Sequence, residues 1–232
     1  MKSVIVTDIE RPRAELVEQL EQLGVATVHE AMGRTGLVGT IVAPLQQGKC
    51  IAGSAVTVLC WPGDNLMIHA AVEQCRAGDV LVVTTPTPSL AGSFGELFAT
   101  ALAYRGVRGL VTTGGVRDVR ELREMGFSVW AAAQNAQGTV KNTAGSVNVP
   151  VVVGEVVIRP GDIVIADDDG VLCLAPEDAE AVLEASYARV AKESEARAAY
   201  LEGKLSLDHN HLRPKLEELG VSYVPQAELD RA

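Results

Sequence analysis

Aromatic side chains are scarce in this chain, with three Phe, four Tyr and two Trp among 232 residues. Its core must therefore be assembled chiefly from Ala, Val, Leu and Ile. Cysteine is scarce as well. Cys50, Cys60, Cys75 and Cys173 lie far apart and form no CxxC pair, which argues against a zinc ribbon and against a disulfide framework. Buried thiols in a reducing cytoplasm are expected instead. Positive charge is short: 20 Lys and Arg stand against 30 Asp and Glu, a formal net charge of −10, with no dense basic run. The electrostatic footprint that nucleic-acid binding needs is missing. No apolar stretch approaches the ~20 residues of a membrane span. The opening MKSVIVTDIERPR meets charged residues too early for a secretory signal. Nor does the chain carry GxSxG, HExxH, a Walker loop or a dinucleotide glycine fingerprint. The expectation is a cytoplasmic protein that binds neither nucleic acid nor membrane.

What is present is a well-patterned α/β chain, 47% hydrophobic and 22% charged. RPRAELVEQLEQLG predicts a helix ended by Gly24, and ATVHEAMG a short helix capped by Thr27. From residue 49 to 133, strands and helices alternate with short connections: KCIAGSAVTVLC, the helix after Asp64, VLVVTTP, GELFATALAYRG, VRGLVTT, VRDVRELREMG and FSVWAAA. That alternation implies layers with some parallel strands. From 138 to 175 short β runs are broken by Pro-Gly and Asp-Gly, which predicts hairpins in a second sheet. A long helix follows over 176–203, charged nearly all round in its second half, so it is expected to be solvated or to lie against another subunit. HLRPKLEELGVSYV predicts a last helix and an edge strand. Residues 1–175 are read as one domain and 176–232 as a helical extension that packs on a neighbouring subunit.

Few residues suggest chemistry. HNH at 209–211 is too short to define a metal site, and ADDDGV at 166–171 fits a hairpin turn better than a cation site. Lys49 and Lys141 lie beside β runs, but nothing around them marks a desolvated Schiff-base lysine. More is implied by GSFGELFATALAYRG and TTGGVRDVREL. Each has glycine just before a helix start, where free N–H groups and the helix dipole favour an anion. Glu96 and Asp118 fall in the two first turns, at the carboxyl ends of neighbouring strands. With Arg117 they could converge on a carboxylate and a hard divalent ion. The plainer alternative is that Asp118 caps its helix while Arg117 is solvated.

LGVATVHEAMGRTGLV, IAGSAVTVL, PGDNLMIHAAVEQCRAGDVLVV, FGELFATALAYRGVRGLV, GGVRDVREL, GTVKNTAGSVNVPVV and PGDIVIADDDGV together resemble the metal-dependent 4-hydroxy-4-methyl-2-oxoglutarate / 4-carboxy-4-hydroxy-2-oxoadipate aldolases. These are similar in turn to the regulator of ribonuclease activity A. The resemblance spans about residues 20 to 223. It implies an α/β fold, an αββα sandwich with a swivelling ββα-type core and a long C-terminal helix, assembled as homotrimers or homohexamers. It further implies that Arg117 binds a pyruvate carboxylate and that Asp118 holds Mg²⁺ or Mn²⁺. The segment Gly95-Glu96-Leu97-Phe98 would supply backbone N–H groups and a second acid, and Glu193 would reach the metal of a neighbouring subunit. Thr113 stands where those aldolases commonly carry Asp.

The expected activity is retro-aldol cleavage to pyruvate and a second oxo acid, with oxaloacetate decarboxylation on the side. No histidine stands out in the sequence as a base, so a metal-bound water is expected to take the C4-hydroxyl proton. The rival expectation is a non-catalytic regulator that binds a ribonuclease, against which Asp118 speaks.

Overall fold

Helices α1 (Ala14–Ala31), α2 (Leu66–Gln74), α3 (Glu96–Tyr104), α4 (Val119–Glu124) and α5 (Ala179–Leu201) frame eleven strands in a computed structural model that describes residues 2–229. The strands are β1 (Ala43–Pro44), β2 (Ile51–Leu59), β3 (Asp79–Thr84), β4 (Gly92–Phe94), β5 (Gly109–Val116), β6 (Ser128–Gln134), β7 (Ser146–Val147), β8 (Val151–Val153), β9 (Val156–Ile158), β10 (Ile163–Asp167) and β11 (Gly170–Leu174). The main sheet runs β1-β6-β5-β3-β2-β10-β11, with β4 added to β5 and β7 to β2. Its centre, β2, β3, β5 and β6, is parallel. The hairpin β10–β11 joins β2 antiparallel, so this part of the 138–175 region extends the main sheet; only β8–β9 forms the separate second sheet. The fold is α/β, as expected.

Strand periodicity explains the layers, because alternate residues face opposite sides of a sheet. Leu81 and Val83 of β3 pack with Ile68, Ala99, Leu102 and Leu122 of helices α2, α3 and α4. Val80 and Val82 face the other way, against Val151, Val153 and Ile158 of the small sheet. On β10, Ile163 and Ile165 meet Leu16, Leu20, Val25 and Val28 of α1, joined by Ala179 at the start of α5. Trp130 is fully buried among aliphatic neighbours, and its Nε1 donates to Asp167 O at 2.8 Å.

Gly24 does break its helix, at φ 75°, but the segment resumes at once. Thr27 is not the cap there. The Val25 N–H is received by Asp167 Oδ2 at 2.8 Å, so a side chain distant in sequence does that work. The same Asp167 accepts Asp169 N at 2.8 Å inside the β10–β11 turn. The three aspartates therefore build a turn.

The chain divides into two units, Met1–Ser186 and Tyr187–Ala232. The second contains the end of α5 and three short helices, α6 (Ser206–His209), α7 (Arg213–Glu218) and α8 (Gln226–Leu229). The edge strand expected after α7 is absent: residues 219–225 form no strand. None of residues 187–228 is buried, although Leu201, Leu219 and Tyr223 are among them. Among the described residues no helix is long and apolar enough to cross a membrane.

Candidate active site

The two glycines of TTGGVRD do not end the strand. β5 continues through both to Val116, and β4 pairs alongside with Gly92 opposite Gly115. A Cβ on Gly115 would lie 2.2 Å from Leu90 O, so the glycine is what lets the 90–94 segment approach. Arg117 N then donates to Phe94 O at 2.9 Å, and the chain turns sharply. Asp118 makes that turn in the left-handed region, φ 56° and ψ 38°. For a residue with a Cβ this conformation costs roughly 1–2 kcal/mol, although Asp tolerates it better than most.

Asp118 occupies the N-cap position of α4 but makes no capping bond to that helix. Its Oδ2 accepts the backbone N–H of Glu96, the first residue of α3, at 3.2 Å. Arg117 Nε stands 3.6 Å from the same oxygen. The capping reading is thus overturned: the carboxylate is turned away from its own helix, onto the start of another. Gly95 makes room for it, since a Cβ there would sit 2.3 Å from Asp118 Oδ2 and 3.1 Å from Arg117 Cγ.

A cavity of about 380 Å³ opens at this junction. Gly95, Leu97, Phe98, Arg117 and Asp118, all named as candidates from the sequence, line it. Ala99 N to Gly95 O, at 3.2 Å, is the first intrahelical bond of α3, which leaves the Leu97 and Phe98 N–H groups in the open first turn. Glu96 is different. Its carboxylate accepts Thr100 Oγ1 at 2.7 Å on the outer side of α3 and does not line the cavity. Glu193 belongs to the second unit, where it pairs with Arg189 Nε at 2.8 Å. Among the described residues of one chain, no three His, Cys, Asp or Glu side chains are grouped to hold a metal. Thr113, on β5, donates its hydroxyl to Thr84 Oγ1 at 3.1 Å.

Three further polar residues of the cavity were not assigned to a carboxylate site from the sequence: Asn65, His69 and Lys141, the last weighed only as a Schiff-base lysine. The signal was there for two of them. Asn65, His69 and Val72 are spaced i, i+4 and i+7, one face of a helix, and all three line the cavity. Lys141 comes from a segment 76 residues further on, and no local pattern links it to α2. Burial and, secondarily, the charge of Lys141 push the His69 pKa below its ordinary 6.5, so the imidazole is neutral at pH 7. Its ring packs on Phe98 with centroids 4.5 Å apart. Lys141 itself is exposed, an environment that does not make a Schiff-base lysine.

Other candidates are spent elsewhere. His209 stacks edge-on to Tyr200 at 5.3 Å. All four cysteines are free, and burial pushes the thiols of Cys50, Cys60 and Cys75 up to about 12. A smaller hollow of about 110 Å³ lies at the other ends of β3 and β5, but its Arg11 and Arg108 are already paired with Asp79 and Glu21.

The cleft lies at the carboxyl ends of parallel strands of an α/β protein and brings together an arginine, an open helix N-terminus and one half-exposed carboxylate, chemistry that suits a small anion. The chain belongs to the RraA-like family: the family profile described as Aldolase/RraA matches residues 25–173. A protein of Halalkalibacterium halodurans provisionally named a 4-hydroxy-4-methyl-2-oxoglutarate aldolase is 32% identical over 187 residues, 79% of this chain and 87% of that one. A protein of the same provisional name from Burkholderia multivorans is 35% identical over 145 residues, 62% of this chain and 88% of that one. Among solved structures, Streptomyces coelicolor RraAS2, described as an unusual member of the RNase ES inhibitor RraA family, superposes with a TM-score of 0.75 at 27% identity, covering 82% of this chain and 99% of its own.

Proposed function

We propose that this chain is a divalent-metal-dependent retro-aldolase acting on 4-carboxy-4-hydroxy-2-oxoadipate, 4-hydroxy-4-methyl-2-oxoglutarate or both. The observation that carries the reading is one cavity shared by Arg117, Asp118, His69 and Lys141. Asp118 suits Mg²⁺ or Mn²⁺: it is a hard oxygen donor, 39% exposed, whose Oδ2 accepts the Glu96 N–H. An ion that keeps several waters needs only one or two such carboxylates. Bound there, the metal would supply Lewis-acid stabilisation of negative charge on the 2-oxo oxygen.

The residues of the chain do the rest. Arg117 grips the C1 carboxylate as a planar fork, helped by the Leu97 and Phe98 N–H groups at the positive end of α3. Lys141 pairs with the distal carboxylate, and Asn65 hydrogen-bonds beside it. Neutral His69 accepts the C4-hydroxyl proton at a ring nitrogen. The C3–C4 bond then breaks, C4 becomes a carbonyl, and its bonding electrons pass to C3 as the pyruvate enolate, which is protonated at C3. Cleavage yields pyruvate plus oxaloacetate from the first substrate, or two pyruvates from the second. Oxaloacetate decarboxylation reaches the same enolate and is the expected side activity.

Among the described residues, one chain alone offers a single acid to this cavity, and none of residues 187–228 is buried. We therefore include in the proposal that the chain works as a homotrimer or homohexamer, with residues 176–232 packed on a neighbour whose Glu193 completes the metal's surroundings.

Pyruvate release is the test. Chelation by EDTA should abolish cleavage, and Mg²⁺ or Mn²⁺ should restore it. Undiminished activity in EDTA, with substrate trapped by borohydride, overturns the metal reading. The similarity to an RNase ES inhibitor family supports a second reading, a non-catalytic regulator that binds a ribonuclease. Absence of turnover on all three oxo acids, with inhibition of a ribonuclease, would establish that reading instead.

A further inference from the structure

Asp64 is buried, 3% exposed, and no cation stands beside it among the described residues. Its charge is compensated by backbone N–H groups, with the Thr143 side chain adding to them. Oδ1 accepts Leu66 N at 2.8 Å, while Oδ2 accepts Asn142 N at 2.7 Å and Thr143 N at 2.8 Å. The first donor opens helix α2. The other two belong to a strap that passes along the cavity. Two further bonds close the junction: Val140 N to Gly63 O at 2.9 Å and Asn65 N to Val140 O at 3.0 Å. Lys141 is thereby held between two pinned residues, Val140 and Asn142. His69 lies one turn into the helix that the same carboxylate opens.

A buried carboxylate is an expensive way to fasten a loop. What it offers is acceptor capacity on both oxygens and no donor of its own. An amide in its place would turn an NH₂ against one of the two sets of N–H groups.

We infer that Asp64 is a positioning residue for the distal-carboxylate half of the site: it ties the strap carrying Lys141 to the first turn of the helix carrying His69, and so sets how the ammonium and the imidazole face one substrate. This rests on the oxo-acid reading of the cavity. Arg117 and the α3 N-terminus, which receive the C1 carboxylate, are fastened independently through Phe94 O and Glu96 N. Asp64 therefore acts on one end of the substrate and not on the other.

The experiment compares Asp64→Asn and Asp64→Ser with the native enzyme, alone and with Lys141→Ala. Serine keeps a turn to the Leu66 N–H and releases only the strap, so it preserves folding if the asparagine variant does not fold. Three quantities are read: the His69 titration by NMR, the KM for 4-carboxy-4-hydroxy-2-oxoadipate, and the inhibition constant of pyruvate, which needs only the Arg117 end. In either folded variant His69 should titrate closer to 6.5, because burial and Lys141 together hold it below that value. KM should rise about tenfold with kcat within about threefold, and pyruvate inhibition should stay unchanged, the pattern of a lost ground-state contact at one end. In the Lys141→Ala background the Asp64 substitution should add little, since both act through the same group. A folded variant with a native His69 titration overturns the inference, as does an equal loss of pyruvate binding or full additivity with Lys141→Ala. If the native enzyme turns over no oxo acid, the substrate reading fails, while the His69 titration still decides the role of Asp64.

Discussion

Asp118 holds the least comfortable backbone of the site, and Gly95 is the residue that accommodates it. Gly95 has φ −160°, an extended conformation open to any residue, so its constraint is space alone. Gly95→Ala should push the Asp118 carboxylate off the Glu96 N–H and disturb Arg117, whose Cγ is also within 3.1 Å of the new Cβ. A fall in kcat/KM of more than about tenfold is expected, with little change in melting temperature, because the loss is one hydrogen bond on a part-exposed carboxylate. Arg117→Ala should cost roughly 2–4 kcal/mol in kcat/KM, the scale for removing a group aimed at developing charge. Asp118→Ala should in addition weaken Mg²⁺ binding by calorimetry. Two folded variants with native kcat/KM would put the site elsewhere. His69 sets a pH test. Its pKa is depressed, so the neutral base persists below 6.5 and is lost only as pH falls further. The acid limb of kcat/KM should therefore lie below 6.5 and vanish in His69→Gln, and a limb above that value would exclude His69 as the base.

At the scale of elements, the site depends on where β4, β5, α2 and α3 begin and end. β5 passes through Gly114 and Gly115 because β4 must lie against it, and α3 starts where β4 stops. Asp64 fastens α2 to the 140–143 strap. Burial opposes the ionised form of Asp64, but the N–H donors and the Thr143 side chain prevail and hold its pKa below the ordinary 3.8. A depressed carboxylate stabilises the fold above its unfolded pKa, and that contribution disappears as pH falls through the folded value. Asp64→Asn should thus lower the melting temperature at pH 7 and flatten its decline below about pH 4. An equally steep acid decline in the variant would show that other carboxylates govern it.

At the scale of the whole molecule, the second unit carries large apolar side chains in the open. Leu201 is 84% and Tyr223 75% exposed, a surface that a partner copy would bury. If Glu193 acts in a neighbour's site, homo-oligomers of Glu193→Ala and of Arg117→Ala should each be weak. Reassembled together they should exceed both parents, because some sites then draw intact residues from two chains. Mixed oligomers without recovery would exclude a shared site. Local pattern alone was enough for the α/β class and for most strands and helices of the first unit, since periodicity and glycine position are carried within a few residues, and it singled out Arg117, Asp118 and Gly95 as candidates. It also located Glu96 at the start of α3, but not the direction of its side chain, which Thr100 captures. Folding in three dimensions was needed to send the β10–β11 hairpin into the main sheet, to turn Asp118 onto α3, and to bring Lys141 beside His69, 72 positions apart in sequence. Those outcomes rest on contacts between distant segments, above all the N–H groups gathered by Asp64, Asp118 and Asp167, and a buried carboxylate in sequence does not say whose N–H it will receive.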